Sequence, residues 1–545
     1  MNDFATTGTA TRSLRSWQPR VLDARLRTAD EIALLDVREI GVFVRKHLLF
    51  AVPAPAWRLE LLIGRLVPRH DTPIVVVDGD GTDVAVEAAQ RLQRLGYSDV
   101  GVLDGGTEGW QAAGLELFSG DNVPSKAFGE FVEHRAGTPH IDVATLRTRL
   151  AAGEHLVIVD GRTPEEHRQF SLPGAHALPN GELALRIREL APDPDTTVVV
   201  HCAGRTRSII GAQTLIDAGL PNPVVALKDG TMAWLLAGHA LEHGQRGELP
   251  SPSATHSALA RAGAERWRQR VGVSRIDSAT LQRLQDDPGR TLYRFDTRTG
   301  AEYRAGHLPG WRWAPGGQLV QATDQFVGTR GARIVLADWD GVRATTTAAW
   351  LAQMGAGEVM LYAPPGDAEL EVGDETRPLR RDPALPDARW VAPGEAHDLM
   401  QAGAAVIFEV ERSLTYAKRH IAGSWFAAPN RLPDWLPVHA AGRIVVVSSG
   451  DGVLGQRVAS MLCAAGFDAR GLLGGHDAWF AAGLPTATGR DTVLTGEEDA
   501  WYGAYAYDDP VRRQAKFREY LAWETGLPEQ VARDGARPAF RYLRA

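Results

Sequence analysis

One block of this chain occurs four times, and the repetition limits its possible folds more than any other feature. IVVVDGDGTDVAVEAAQRLQRLG (74–96) lies on TVVVHCAGRTRSIIGAQTLIDAG (197–219) without a gap. The same frame accepts RIVLADWDGVRATTTAAWLAQMG (333–355) and, with one more residue at its start, RIVVVSSGDGVLGQRVASMLCAAG (443–466). Each block reads as a short β-branched strand, a polar loop, a helix, and a glycine suited to the left-handed position after a helix.

The flanks repeat as well. Upstream of the blocks lie LLDVRE (34–39), VIVDGRTPEE (157–166), LYRFDTRTGAE (292–302) and VIFEVERS (406–413). Downstream, three copies carry a Trp four residues after a Gly: Gly106/Trp110, Gly230/Trp234 and Gly475/Trp479. The third copy runs instead into YAPPGDAELEV and has drifted. Strands alternating with helices predict an α/β fold of four tandem domains, each a central, mainly parallel sheet flanked by helices. The boundaries expected are 17–120, 128–246, 268–368 and 388–489, followed by a C-terminal helical tail, 490–545. Pro-, Gly- or charge-rich stretches at 119–128, 245–257 and 365–388 read as connectors. In the tail, RRQAKFREYLAWETGL reads as a helix docking on the last domain or its neighbour.

Composition narrows the class. A net charge of −8 and a pI near 6.1 supply no basic field for nucleic acid. The two cysteines cannot build a disulfide framework, and no Cys/His pair has zinc-ligand spacing, so neither metal nor cofactor is expected. The first residues, MNDFATTGTATRSLRSW, lack the apolar stretch of a secretory signal, and no run of about 18 apolar residues suggests a membrane span. The expectation is a cytoplasmic protein, monomeric or dimeric.

Asp-x-Arg on a first strand, Leu-Pro-Gly-Ala (172–175), a strand ending in His201-Cys202, an Arg-containing loop and then Gly-x-x-x-Trp together resemble the rhodanese domain. The arrangement, over roughly 17–488, resembles tandem four-rhodanese proteins of bacterial type. The resemblance implies that Cys202 is the sulfur-carrying nucleophile and that Ala203, Gly204, Arg205, Thr206 and Arg207 form the loop that holds substrate and persulfide. Physical chemistry points the same way. A free thiol, with a pKa of about 8.5, is mostly protonated at neutral pH. Backbone N–H groups at a helix start, with Arg205 and Arg207 alongside, are expected to favour the thiolate, stabilise a persulfide and bind a dianionic donor. Accessory roles fall to His201, Arg162 and Trp234. Cysteine phosphatases place Arg six residues after Cys; here Arg207 is at +5 and Ser208 at +6, a tighter ring that suits one sulfur better than a phosphoryl group.

In the gapless frame Gly79, Asp338 and Ser449 replace Cys202, so the other three domains are expected to be inactive. Cys463 aligns with Ile216 inside a helix and reads as a small core residue. Asp160/Arg162 recurs as Asp36/Arg38 and Asp296/Arg298 without a nucleophile, which favours a structural pair; Glu166 and Glu302 follow at equal spacing and read as architecture. Trp110, Trp234 and Trp479 read as packing anchors, with Trp234 alone able to line the competent site's mouth. His155, His167 and His176 read as surface or turn residues, and Asp78, Asp80 and Asp83 as a solvated acidic turn. Two functions follow. The first is a ping-pong sulfurtransferase moving sulfur from thiosulfate or a similar donor to a thiol, cyanide or a protein cysteine. The second is a regulatory or scaffold protein that binds a sulfur-metabolism partner and uses Cys202 as a persulfide or redox sensor.

Overall fold

A strand buried on both faces needs apolar side chains on both sides, which is why the β-branched runs end up innermost. In the computed structural model, which describes residues 13–376, 379–496, 498–535 and 540–543, four such runs lie at the centres of four separate sheets. They are Ile74–Val77, Thr197–His201, Arg333–Ala337 and Ile444–Ser448. With the five strands that each unit gives to its own main sheet numbered in chain order, every sheet has the order 1-5-4-2-3, and the pairings along this path are all parallel. Each central strand leads into a helix: Asp83–Arg94, Thr206–Asp217, Arg343–Met354 and Val453–Ala464. The glycine of each Gly-x-x-x-Trp element sits at positive φ against the loop before that helix. A Cβ on Gly230 would come within 2.8 Å of the Gly204 carbonyl oxygen, so only glycine fits.

The units are welded together. Thr329–Arg330 of the third adds an antiparallel edge to the first sheet, Thr329 opposite Ala33 and Arg330 opposite Ile32. The Trp350 indole donates to Thr214 Oγ1 at 2.8 Å, and one apolar cluster combines Phe128, Ile209 and Ile210 with Trp267, Phe295 and Trp350. Two expected connectors prove partly helical. Val123–Val132 begins inside 119–128, since Pro124 is tolerated in a first turn, and Val123, Phe128 and Val132 are fully buried. Ala254–Val271 begins inside 245–257, capped by Ser253, and carries the buried Trp267. Among the described residues, 365–388 holds no helix or extended strand.

The tail departs from its expected place. Its helix, Pro510–Asp534, packs along Val123–Val132 through Leu527 and Val531 rather than on the fourth unit. Gln530 also reaches the Leu117 carbonyl at 3.0 Å. The tail therefore lies beside the second unit's loop.

Candidate active site

Cys202 leaves the central strand and opens the turn into Thr206–Asp217. Its thiol faces Ser208 Oγ at 3.7 Å, and the Ser208 N–H also points at the sulfur. The residue is only 2% exposed. Burial pushes the thiol up, outweighing Arg207 and Ser208, which pull it down. The expectation that every influence favours the thiolate is thereby corrected: a thiolate at this depth loses the water that would solvate it.

The other units show what such a loop is shaped to hold. Asp338 accepts the Gly341 and Ala344 N–H groups, each at 2.7 Å, one on each carboxylate oxygen. Ser449 Oγ accepts the Gly455 N–H at 3.0 Å. In the first unit the residue at the cysteine position is Asp78, not Gly79. Asp36 pairs with Val77 as Asp160 pairs with His201, and the carbonyls of Asp78, Cys202 and Ser449 accept corresponding N–H groups from Thr107, Thr231 and His476. The first loop is one residue longer before its helix, so a gapless frame anchored on the helix slips by one. Asp78 is buried and accepts the Gly81 and Ala85 N–H groups at 2.5 and 3.0 Å, so it is no solvated turn residue. Two of the four loops thus close around a carboxylate, an arrangement in which backbone N–H groups at a helix start cradle an anion.

Neither loop arginine is free for a donor. Arg205 pairs with Glu130 at 2.7 and 2.9 Å, with Asp229 at 2.8 Å and with Glu133. Arg207 makes a two-pronged pair with Glu166 at 2.6 and 2.8 Å. Arg343 and Glu302 repeat that pair at the same two distances in the third unit, which lacks a cysteine.

Beneath the loop is a closed polar cluster. Asp160 accepts from Arg162 at 2.9 and 2.7 Å, from His167 at 3.1 Å and from Ser171 Oγ at 2.9 Å, with His201 Nε2 at 3.8 Å. Burial works against its charge, but His201, His167 and Arg162 hold the carboxyl well below the usual range. Arg162 also donates to the Phe170 carbonyl, as Arg38 does to Lys46 and Arg298 to Gly306, so it braces the returning chain rather than a substrate. His167 belongs to this cluster and is buried, unlike the exposed His155 and His176. Trp234 does not line the mouth. Its ring is core, packed with Ile141, Val143 and Leu146, and its N–H donates to the Ala240 carbonyl at 2.8 Å. Cys463 is half-buried on its helix with Sγ 3.3 Å from the Ala469 carbonyl. No group of metal-ligating side chains occurs among the described residues.

His201 gives a pH prediction. Burial pulls it down from 6.5 to about 4, so it stays neutral at pH 7. A depressed value means stability that is present above pH 6.5 and lost as pH falls toward 4, roughly 3 kcal/mol. Urea unfolding at pH 7 and pH 4 is expected to show His201→Gln losing less than the wild type by about that amount. An equal loss in both proteins would remove His201 as a source of acid sensitivity.

The tail seals the loop, and no spacing in the sequence announces it. Glu524 accepts from the Thr206 N–H at 3.2 Å and from its hydroxyl, 318 residues away. Its second oxygen is buried without a partner, 3.3 Å from where a Cβ on Gly204 would stand, with the Tyr520 ring at 3.1 Å. The Tyr505 hydroxyl lies 2.6 Å from Thr231 Oγ1 and donates to the Ala203 carbonyl at 3.2 Å, while its ring stacks on Phe170 at 4.7 Å. The one advance signal was aromatic density in DAWYGAYAYDD. Hydrogen bonds to a charged group contribute about 1.5–3 kcal/mol each, so Glu524→Ala with Tyr520→Ala is expected to raise the alkylation rate of Cys202 by about 10- to 100-fold. Iodoacetamide labelling followed by peptide mass analysis measures this; an unchanged rate would mean the tail does not control access.

Repeated α/β units with a cysteine at the head of a helix in one of them define a class, and sequence comparison bears on it directly. The model of the Rhodanese-like domain family matches residues 18–113, 142–237 and 277–363, and the chain belongs to that family. The fourth unit, outside those matches, keeps the same sheet order. The chain is similar to the crystal structure of a thiosulfate sulfurtransferase from Pseudomonas aeruginosa, with 44% identity over 98% of this chain and 100% of that one, at a TM-score of 0.91. It is 29% identical over 246 residues to the thiosulfate sulfurtransferase of Azotobacter vinelandii, covering 38% of this chain and 89% of that protein. A sulfurtransferase of Allochromatium vinosum is 36% identical over 94 residues, 17% of this chain and 85% of its own. These likenesses support a rhodanese-like sulfurtransferase with repeated domains. No helix among the described residues is long and apolar enough to cross a membrane.

Proposed function

We propose that the protein transfers sulfane sulfur through a persulfide on Cys202. The observation that carries this reading is the cradle: where Asp78 and Asp338 place carboxylates among loop N–H groups, the second unit places a thiol. The Cys202 thiolate attacks the outer sulfur of thiosulfate, the S–S bond breaks and sulfite leaves with the electron pair. An acceptor thiolate then attacks the terminal sulfur of the persulfide and releases the Cys202 thiolate, a covalent ping-pong cycle. Backbone N–H groups stabilise the anionic terminal sulfur, and Arg207 supplies the nearest positive charge, already shared with Glu166. The thiosulfate sulfurtransferase names of the relatives support thiosulfate as the donor.

Intact-protein mass spectrometry after thiosulfate, then cyanide, tests the cycle. The expected result is one added sulfur on the peptide containing Cys202, removed by cyanide with release of thiocyanate. No adduct from thiosulfate, mercaptopyruvate or glutathione persulfide would overturn it. The seal of Tyr505, Tyr520 and Glu524 over the loop favours a second reading, a persulfide sensor read by a partner protein. A single sulfur gained without repeated turnover would support that one.

A further inference from the structure

A cavity of about 650 Å³ lies where the first and third units join, away from the Cys202 loop. Its walls are largely apolar, with Leu49 and Phe50 on one side and Met354 on the other, yet the Arg330 guanidinium reaches it without a carboxylate to pair with among the described residues. Arg330 lies over the Phe50 ring at 3.5 Å, and its one side-chain hydrogen bond among the described residues is a long one, 3.4 Å to the Leu26 carbonyl. Asp324 also lines the cavity, its carboxyl accepting from the Gln325 N–H.

The contrast with the other charges of the same wall is informative. Arg290 pairs with Glu31 at 2.9 Å and Arg27 with Asp23 at 2.7 Å. Arg330 stays cationic at neutral pH, although burial pulls it down to about 10; burial also lifts Asp324 to about 7, so that it can donate a proton as well as accept one. An unpaired charge held out of bulk water is costly, and proteins keep one chiefly where something else completes the pair. The volume exceeds what a few waters need and falls within the range of small-molecule sites.

We propose that this cavity binds a small organic anion, its acid group paired with Arg330 and its apolar body lying along Phe50, Leu49 and Met354. A second polar end of the ligand meets Asp324. The site is independent of sulfur transfer at Cys202.

The test uses the full chain and a defined probe, 1-anilinonaphthalene-8-sulfonate, followed by fluorescence. The expected result is saturable one-to-one binding that weakens at least about tenfold in Arg330→Met. The uncharged N-phenyl-1-naphthylamine is expected to bind at least about tenfold more weakly than the sulfonate. Ala356→Phe, which fills the cavity from its other wall, is expected to abolish binding and keeps the test decisive if Arg330→Met fails to fold. No saturable binding to the wild type, or undiminished binding to both variants, would overturn the proposal. So would equal affinity for the two probes.

Discussion

Cys202→Ser is expected to abolish sulfur transfer, lowering kcat/KM by on the order of a thousandfold or more, because no other group here can hold the transferred sulfur. Thiocyanate formation from thiosulfate and cyanide is the measurement. The fold is expected to survive, since serine is smaller than cysteine and its hydroxyl replaces a thiol already facing Ser208 Oγ. Cys463→Ser is expected to keep turnover close to the wild type, as its sulfur lies on another unit's helix beside the Ala469 carbonyl. Retained turnover in Cys202→Ser together with loss in Cys463→Ser would reverse the two roles.

Arg205→Ala is expected to destabilise the protein by about 3–5 kcal/mol, the usual consequence of removing one partner of a buried ion pair. Glu130 is 1% exposed and would keep its position with no cation against it, while Glu133 and Asp229 would lose theirs too. Denaturant unfolding measures the loss. Had Arg205 served as a donor-binding residue, the variant would instead show a raised KM for thiosulfate with stability unchanged, and that outcome would restore the expectation drawn from the loop's sequence.

Arg205 illustrates where sequence reasoning stops. The Cys-Ala-Gly-Arg-Thr-Arg stretch displays two cations next to a thiol, but a positive charge acts on whatever lies nearest in space. Its nearest neighbours, more than seventy positions upstream, are Glu130, on a helix that composition marks in part as a connector, and Glu133, in the turn that follows that helix. The structural reading of Asp-x-Arg rests on firmer ground, because Asp36–Arg38, Asp160–Arg162 and Asp296–Arg298 repeat one local geometry within three residues. Gly79 shows the opposite error. A frame matched on helix residues cannot see one additional loop residue, whereas strand register places Asp78 opposite the site at once.

What the sequence determined by itself is local and periodic: the repeated strand–loop–helix blocks, the parallel sheets they imply, and the single cysteine at the head of one helix. These follow from β-branched runs, helix starts and glycine turns, each decided by neighbours a few residues away. The tertiary structure alone decided what surrounds that cysteine. The C-terminal helix laid Glu524 on Thr206, the Val123–Val132 helix carried Glu130 to Arg205, and the contact of the first and third units left Arg330 without a counter-charge among the described residues. Burial, ion pairing and access depend on distances across the whole chain, and no spacing along it encodes them.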